Sequence, residues 1–217
     1  KRQVQAGHEV HVFCADTDKK QRLRKKDLLV DGIFVHRVPY LFKITSLTYI
    51  WPEIFFNILS SSFDLIHTHS LNQPHVFLAG LAARLKKIPV VHTTHSPWVA
   101  DRRNFLGNLF VWPMQNVFGR LALRWASAVI VLSPWENQFL EKIINKRNKI
   151  IPIPNGVGSE FFSRTEKNNF KEQHNIRGKL VLFLARLNKI KGPDVLMAVA
   201  KEILAERNDV TFVFAGG

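Results

Sequence analysis

The sequence predicts an α/β fold in which parallel strands are covered by helices on both faces, and three observations carry that expectation. Short runs rich in β-branched and aromatic residues are almost continuously apolar, as strands buried on both faces must be. Segments with helical spacing lie between several of them. Connections long enough to hold a helix join parallel neighbours by right-handed crossovers, so the expected architecture is Rossmann-like.

In chain order, strands are expected at residues 9–14, 33–38, 63–67, 88–93, 128–132, 150–153, 180–184 and 210–214. The first follows a helix tail closed by Gly7, and Asp16 and Asp18 read as its loop exit. Helices are expected at 46–60, at 74–85 behind Pro74, at 105–125, at 134–144 and at 193–207 behind Pro193. Ser133 reads as the N-cap of the fourth, with Pro134 at the first helical position and Glu136 completing a capping box. The strand at 150–153 is ended by Pro152, Pro154 and the Asn155-Gly156 pair. These breaks divide the chain into an α/β domain over 1–157, a polar connector over 158–178 and the start of a second α/β domain over 179–217. Starting on a helix tail at Lys1 and stopping on Gly216-Gly217 after a strand, the sequence reads as a fragment.

Composition narrows the class. The chain has 217 residues, 46% of them hydrophobic and 22% charged, which suits a globular protein rather than a disordered one. The single cysteine, Cys14, excludes a disulfide framework or a Cys-based zinc site, fits a reducing compartment and reads as a core thiol. The longest apolar stretches, 47–59 and 105–118, are interrupted by Pro52 and Glu53 and by Pro113, so neither is a membrane span.

Two segments could carry chemistry. In Leu180-Val-Leu-Phe-Leu-Ala-Arg186-Leu-Asn-Lys-Ile-Lys191-Gly192-Pro193-Asp194, a strand leads through a basic loop into a helix that opens at Pro193. Gly192 admits a close ligand, and Arg186 and Lys191 beside the amides of a helix start suit a diphosphate. A solvated basic loop is the alternative. Histidines mark two strand ends: His67 and His69 in Asp64-Leu-Ile-His67-Thr-His69-Ser70, and His92 and His95 in Val90-Val-His92-Thr-Thr-His95-Ser96. His67 and His69 share a face if extended, and His95 falls where the strand gives way to a loop. They read as a polar wall or as ordinary satisfied histidines. A zinc site would need further ligands that no other segment signals. No nucleophile elbow and no Cys–His signature is present.

Taken in order, AGHEVHVF, DLIHTHS, KIPVVHTTHS, ASAVIVLSPWE, IIPIPNGV, LVLFLARLNKIKGPDVLMAVA and FVFAGG resemble the retaining nucleotide-sugar glycosyltransferases of the GT-B fold, family-4 type. The resemblance implies two facing Rossmann-like domains with a cleft between them, the first binding mainly the acceptor and the second mainly the nucleotide-diphosphate sugar. It places the family's basic pair on Arg186 and Lys191, with Gly192 beside them, and its active-site histidine on His95. His69 and Ser133 fall on the acceptor side of the cleft. Gly158 stands where an Asp is more usual, and Ala185 where a Gly is. It implies neither a metal nor another cofactor. The family's opening strand with its glycine-rich loop and its late Glu–(seven residues)–Glu motif are not in these residues, so this fragment alone is expected to transfer no sugar.

The charge of +14 is spread widely: residues 1–26 and 101–150 each carry a net +5, the second preceded by Trp98 and interleaved with Phe105, Phe110, Trp112, Phe118 and Trp125. Such a mixture suits an anionic membrane surface as well as it suits a solvated basic face over an ordinary core. The expected setting is cytoplasmic, or peripheral on the inner face of a membrane, with an acceptor sugar or lipid-linked glycan in envelope polysaccharide or glycolipid synthesis. Nucleic acid is not an expected partner, because no recognition motif accompanies the charge. A GT-B sugar-nucleotide epimerase, or a non-catalytic homologue acting as a basic membrane-surface module, are the alternatives.

Overall fold

The computed structural model describes residues 1–18, 21–23, 27–44, 48–71, 73–95, 109, 112–144, 149–162 and 169–216. They form two compact units, Lys1–Asn155 and Gly156–Gly217.

The first unit opens with helix α1 (Arg2–Gln5), strand β1 (Val10–Ala15) and the strands β2 (Asp27–Val30) and β3 (Ile33–Val38). Strand β1 pairs parallel with β3, and β2 pairs antiparallel with β3. The β2–β3 hairpin, absent from the sequence expectation, turns on Asp31 and Gly32, whose φ angles of 51° and 76° are those of a tight two-residue turn. Its mark in the sequence is the Asp-Gly pair between two apolar runs. A second small hairpin, β4 (Phe42–Lys43) with β5 (Tyr49–Ile50), takes the first part of the segment expected to be helical at 46–60. Pro52 lacks the N–H that an interior turn would need, so helix α2 runs only over Glu53–Ser60.

The rest of the unit is built on parallel strands: β6 (Ile66–His69), helix α3 (Pro74–Lys86), β7 (Val90–Thr93), helix α4 (Gly119–Trp125), β8 (Ala128–Val131), helix α5 (Asn137–Leu140) and β9 (Ile150–Pro152). The order is β6-β7-β8-β9, every pair parallel. Among the described residues this sheet and the β1-β3-β2 sheet are hydrogen-bonded separately. The described part of the helix expected at 105–125 includes a π-turn over Met114–Phe118 before α4, and its earlier part, with Phe105 and Phe110, lies outside the described residues, as does Trp98. The helix expected at 134–144 is a 3-10 turn (Pro134–Glu136) followed by α5 alone.

Two apolar clusters hold the unit. Leu71, Leu123, Ala126, Val129, Val131, Leu140, Ile143 and Ile144 pack around β8. Val38, Tyr49, Trp51, Ile54, Ile58, Ala79 and Ala82 join α2 to α3. Small residues of α3 allow that closeness, and Gly80 brings its backbone against the Trp125 ring of α4.

In the second unit, a 3-10 turn (Ser159–Phe161) and helix α6 (Phe170–Gln173) precede β10 (Lys179–Leu184), helix α7 (Pro193–Glu206) and β11 (Val210–Ala215). Residues 163–168 of the expected connector lie outside the described residues. Strands β10 and β11 pair parallel from Lys179↔Val210 to Leu184↔Ala215.

Leu123 is wholly buried in the first cluster. Leu123→Ala removes its packing and leaves a cavity, so urea denaturation should show a loss of about 3 kcal/mol. A loss below about 1 kcal/mol would mean that this cluster is not the core of the unit.

Candidate functional site

Parallel pairing brings the carboxyl ends of β6, β7 and β8 to one side of their sheet, and the backbone continues the ladder past the strands. Ser70 N–H donates to Thr93 O at 3.1 Å, Thr94 N–H to Ile130 O at 3.2 Å, and Ile153 N–H to Val131 O at 2.9 Å. Alternation then sorts the side chains. His67, His69, Thr93 and His95 fall on one face, and Thr68 and His92 on the other.

On the first face the two candidate histidines meet. His69 Nδ1 lies 3.0 Å from His95 Nε2, the distance of one shared hydrogen. The His67 ring lies 4.3 Å from that of His69 at a tilt of 31°, and its Nε2 bonds to Thr93 Oγ1 at 2.8 Å. His95 lies in the loop one residue past the end of β7, after Thr94, and takes φ +55°, while Ser70, directly after β6, takes φ +68°. Both are non-glycine residues in the left-handed region, a conformation that tertiary contacts must hold.

On the second face the buried His92 donates to or accepts from Thr68 Oγ1 at 2.8 Å through Nδ1. Its Nε2 has no hydrogen-bond partner among the described residues, and neither has Nδ1 of His75 on α3. Burial pushes the His92 imidazole down to about 3, with the neighbouring histidines adding to the effect. Burial likewise takes His75 to about 4. Partial desolvation, then the positive charge that His67 and His95 would carry, take His69 to about 4. His67 is lowered for the same reasons. His67, His69, His75 and His92 are therefore neutral near pH 7, hydrogen-bonding groups rather than cations.

Ser133 acts as the cap the sequence suggested, its Oγ accepting from Trp135 N–H at 3.4 Å. Glu136 does not complete a capping box. Its side chain turns inward and is wholly buried, where Oε1 accepts from Leu132 N–H at 3.0 Å and Oε2 accepts a short hydrogen bond from Thr94 Oγ1. The Ser-x-x-Glu spacing could not distinguish the two, because Thr94 is distant in sequence. Cys14 in β1 is partly buried, and that burial raises its thiol pKa.

A separate histidine row crosses the β1-β3-β2 sheet. Glu9 Oε1, His11, His36 and Asp27 Oδ1 are linked by contacts of 2.8, 2.9 and 2.8 Å.

In the second unit, β10 ends at Leu184 and the loop carries Arg186, Lys189 and Lys191, all exposed. Asn188 Oδ1 accepts from Lys191 N–H at 3.2 Å and closes a 3-10 turn. Gly192 takes φ +72° at the N-cap of α7, a conformation that side-chain-bearing residues adopt at a cost. The first intrahelical donor is Leu196 N–H to Gly192 O, which leaves the amides of Asp194 and Val195 ahead of the ladder. At the end of β11, Gly216 lies so close to the loop that a Cβ there would sit 1.8 Å from Ala185 O. Among the described residues no three His, Cys, Asp or Glu side chains are grouped to hold a metal ion, and no helix is long and apolar enough to cross a membrane.

Residues 1–161 match the model of Glycosyltransferase Family 4. A D-inositol 3-phosphate glycosyltransferase of Acidothermus cellulolyticus is 25% identical over 167 residues, 71% of this chain and 36% of that protein. One from Corynebacterium diphtheriae is 26% identical over 165 residues, 71% of this chain and 38% of its own length. The chain thus spans little more than a third of these two curated relatives. Among solved structures, Anabaena Alr3699/HepE in complex with UDP and glucose matches with a TM-score of 0.60 at 18% identity, over 84% of this chain and 48% of that one, a likeness of fold. The chain belongs to glycosyltransferase family 4, and its fold is of the GT-B type.

The buried histidines set a pH dependence. The folded pKa of His92 lies below the ordinary 6.5, so the unfolded chain takes up the proton first and stability is lost as pH falls. Urea midpoints should be level above about pH 7 and fall from 6.5 down to about 3, and His92→Gln should flatten the fall. An unchanged slope in His92→Gln would refute the assignment.

Proposed function

We propose that this family-4 protein moves a sugar from a nucleotide-diphosphate donor to an acceptor hydroxyl with retention of configuration, and that donor binding centres on the loop after β10. The carrying observation is the junction of exposed Arg186 and Lys191 with the free amides at the start of α7, beside a left-handed Gly192. Anions are favoured at helix starts, and two cations match the charge of a diphosphate. As the bond to the sugar breaks, negative charge grows on the leaving diphosphate, and groups already in place stabilise it without reorganising. The acceptor hydroxyl attacks from the face that the diphosphate leaves, which preserves the anomeric configuration. His95 is the group on the acceptor side that contacts the transferred sugar, with His69 next to it and Ser133 nearby in sequence order after β8. No metal is required for this role of Arg186 and Lys191.

UDP serves as the probe, being the nucleotide bound in the Anabaena relative of the fold. Calorimetric titration of the protein should give an affinity that Arg186→Ala and Lys191→Ala each weaken about tenfold, the worth of one charge-assisted hydrogen bond. Equal affinity in the double variant would sink the reading. The configuration at the anomeric carbon of the product, read by NMR, tests retention.

The segment after β7 also presents exposed Leu109 and Trp112, each more than 60% accessible, in a stretch of net charge +5 that includes Arg120 and Arg124. That combination favours an acceptor held at an anionic membrane surface. Co-sedimentation with vesicles containing phosphatidylglycerol, and none with neutral vesicles, is the expected result, and Trp112→Ala should reduce it.

A further inference from the structure

We infer that Glu136 is a positioning residue for His95, acting through Thr94. The inference rests on the reading of His95 as the group that faces the transferred sugar. Thr94 and Glu136 are both fully buried, and the Thr94 hydroxyl donates to Glu136 Oε2. The other carboxylate oxygen accepts from Leu132 N–H at 3.0 Å, at the first position beyond β8. One carboxylate therefore bridges the ends of two adjacent strands, and the Thr94 amide closes the same corner by donating to Ile130 O at 3.2 Å.

The residue that emerges from this corner is His95, at φ +55°. A left-handed histidine relaxes toward an extended or helical conformation unless both sides of it are held. On one side Thr94 is clamped by Glu136 and Ile130, and on the other the imidazole Nε2 is held by His69 Nδ1 at 3.0 Å. Releasing the clamp frees the backbone of His95 to rotate and breaks the ring-to-ring hydrogen bond. The hydroxyl's other acceptor, Ile130 O, lies at 3.5 Å, the outer limit of a hydrogen bond, so the Glu136 carboxylate is its main partner.

The imidazole nitrogens report the outcome without any substrate. In the chain labelled with nitrogen-15 at histidine, the wild type should show His69 and His95 fixed in one and the same tautomer, both Nδ1–H or both Nε2–H, as a bond from Nδ1 of one ring to Nε2 of the other requires. Thr94→Val keeps the shape of the side chain and removes the donor, and it should move both rings to the averaged signals of free imidazole. Thr94→Ser should restore the wild-type pattern. Unchanged His69 and His95 signals in Thr94→Val overturn the inference. Glu136→Ala should repeat the Thr94→Val result, and if it does not fold, the Thr94 pair decides alone. A merely structural role for the clamp would lower the urea midpoint and leave the tautomers of the folded fraction as they are. Failure of the wider reading has a different signature: unimpaired transfer by a His95→Ala variant of an active form would remove the sugar-contacting role and leave the tautomer result standing.

Discussion

Parallel pairing of β6, β7, β8 and β9 is the constraint from which the candidate site follows. In parallel strands all carboxyl ends lie on one side, so residues far apart in sequence, Ser70, His95, Leu132 and Ile153, become neighbours in a row. The helices that return the chain carry the apolar faces that bury the sheet, and the ends of the strands are left for polar work. Thr68 with His92 and His67 with Thr93 are cross-strand pairs in this sense, each made possible by register and not by sequence proximity.

That row of polar groups sits on a burial gradient. His92 and Glu136 are fully enclosed, His69 and His95 exposed. The buried Thr94 and Glu136 bond to each other and to the backbone at the end of β8, and the outer pair His69 and His95 bond to each other at the exposed edge. Low imidazole pKa values on the inner side keep the interior free of uncompensated charge, which would otherwise be costly to bury. The second unit uses a different device. There the positive field comes from exposed Arg186, Lys189 and Lys191 and from the start of α7, and precise placement comes from glycines at 192 and 216.

Strands were readable as continuously apolar runs, whether buried as in β8 or largely exposed as in β10, and their ends shifted by at most three residues because strand limits depend on the partner's length. The β2–β3 hairpin leaves a weak mark in the sequence because β2 is a short edge strand, mostly exposed and flanked by charge. The segment 46–60 satisfied a helical spacing throughout, yet its first part pairs with Phe42–Lys43, a contact that outweighs local preference. Glu136 shows the same limit at a single residue: the Ser-x-x-Glu spacing fits a capping box, and only a distant threonine hydroxyl turns the carboxylate inward.

By itself the sequence determined the α/β class, the break near Asn155-Gly156, the strand-end positions of His69 and His95, and the basic loop at Arg186–Gly192 with Pro193 opening a helix. Each of these depends on patterns of apolar period, turn residues and charge within about a dozen neighbouring positions. Tertiary structure decided the separation of the strands into distinct sheets, the hydrogen bond between His69 and His95, the clamp of Glu136 on Thr94 and the approach of Gly216 to Ala185. These depend on register between segments joined by long crossovers, and register is set by the summed packing of whole elements, which no local run of residues contains.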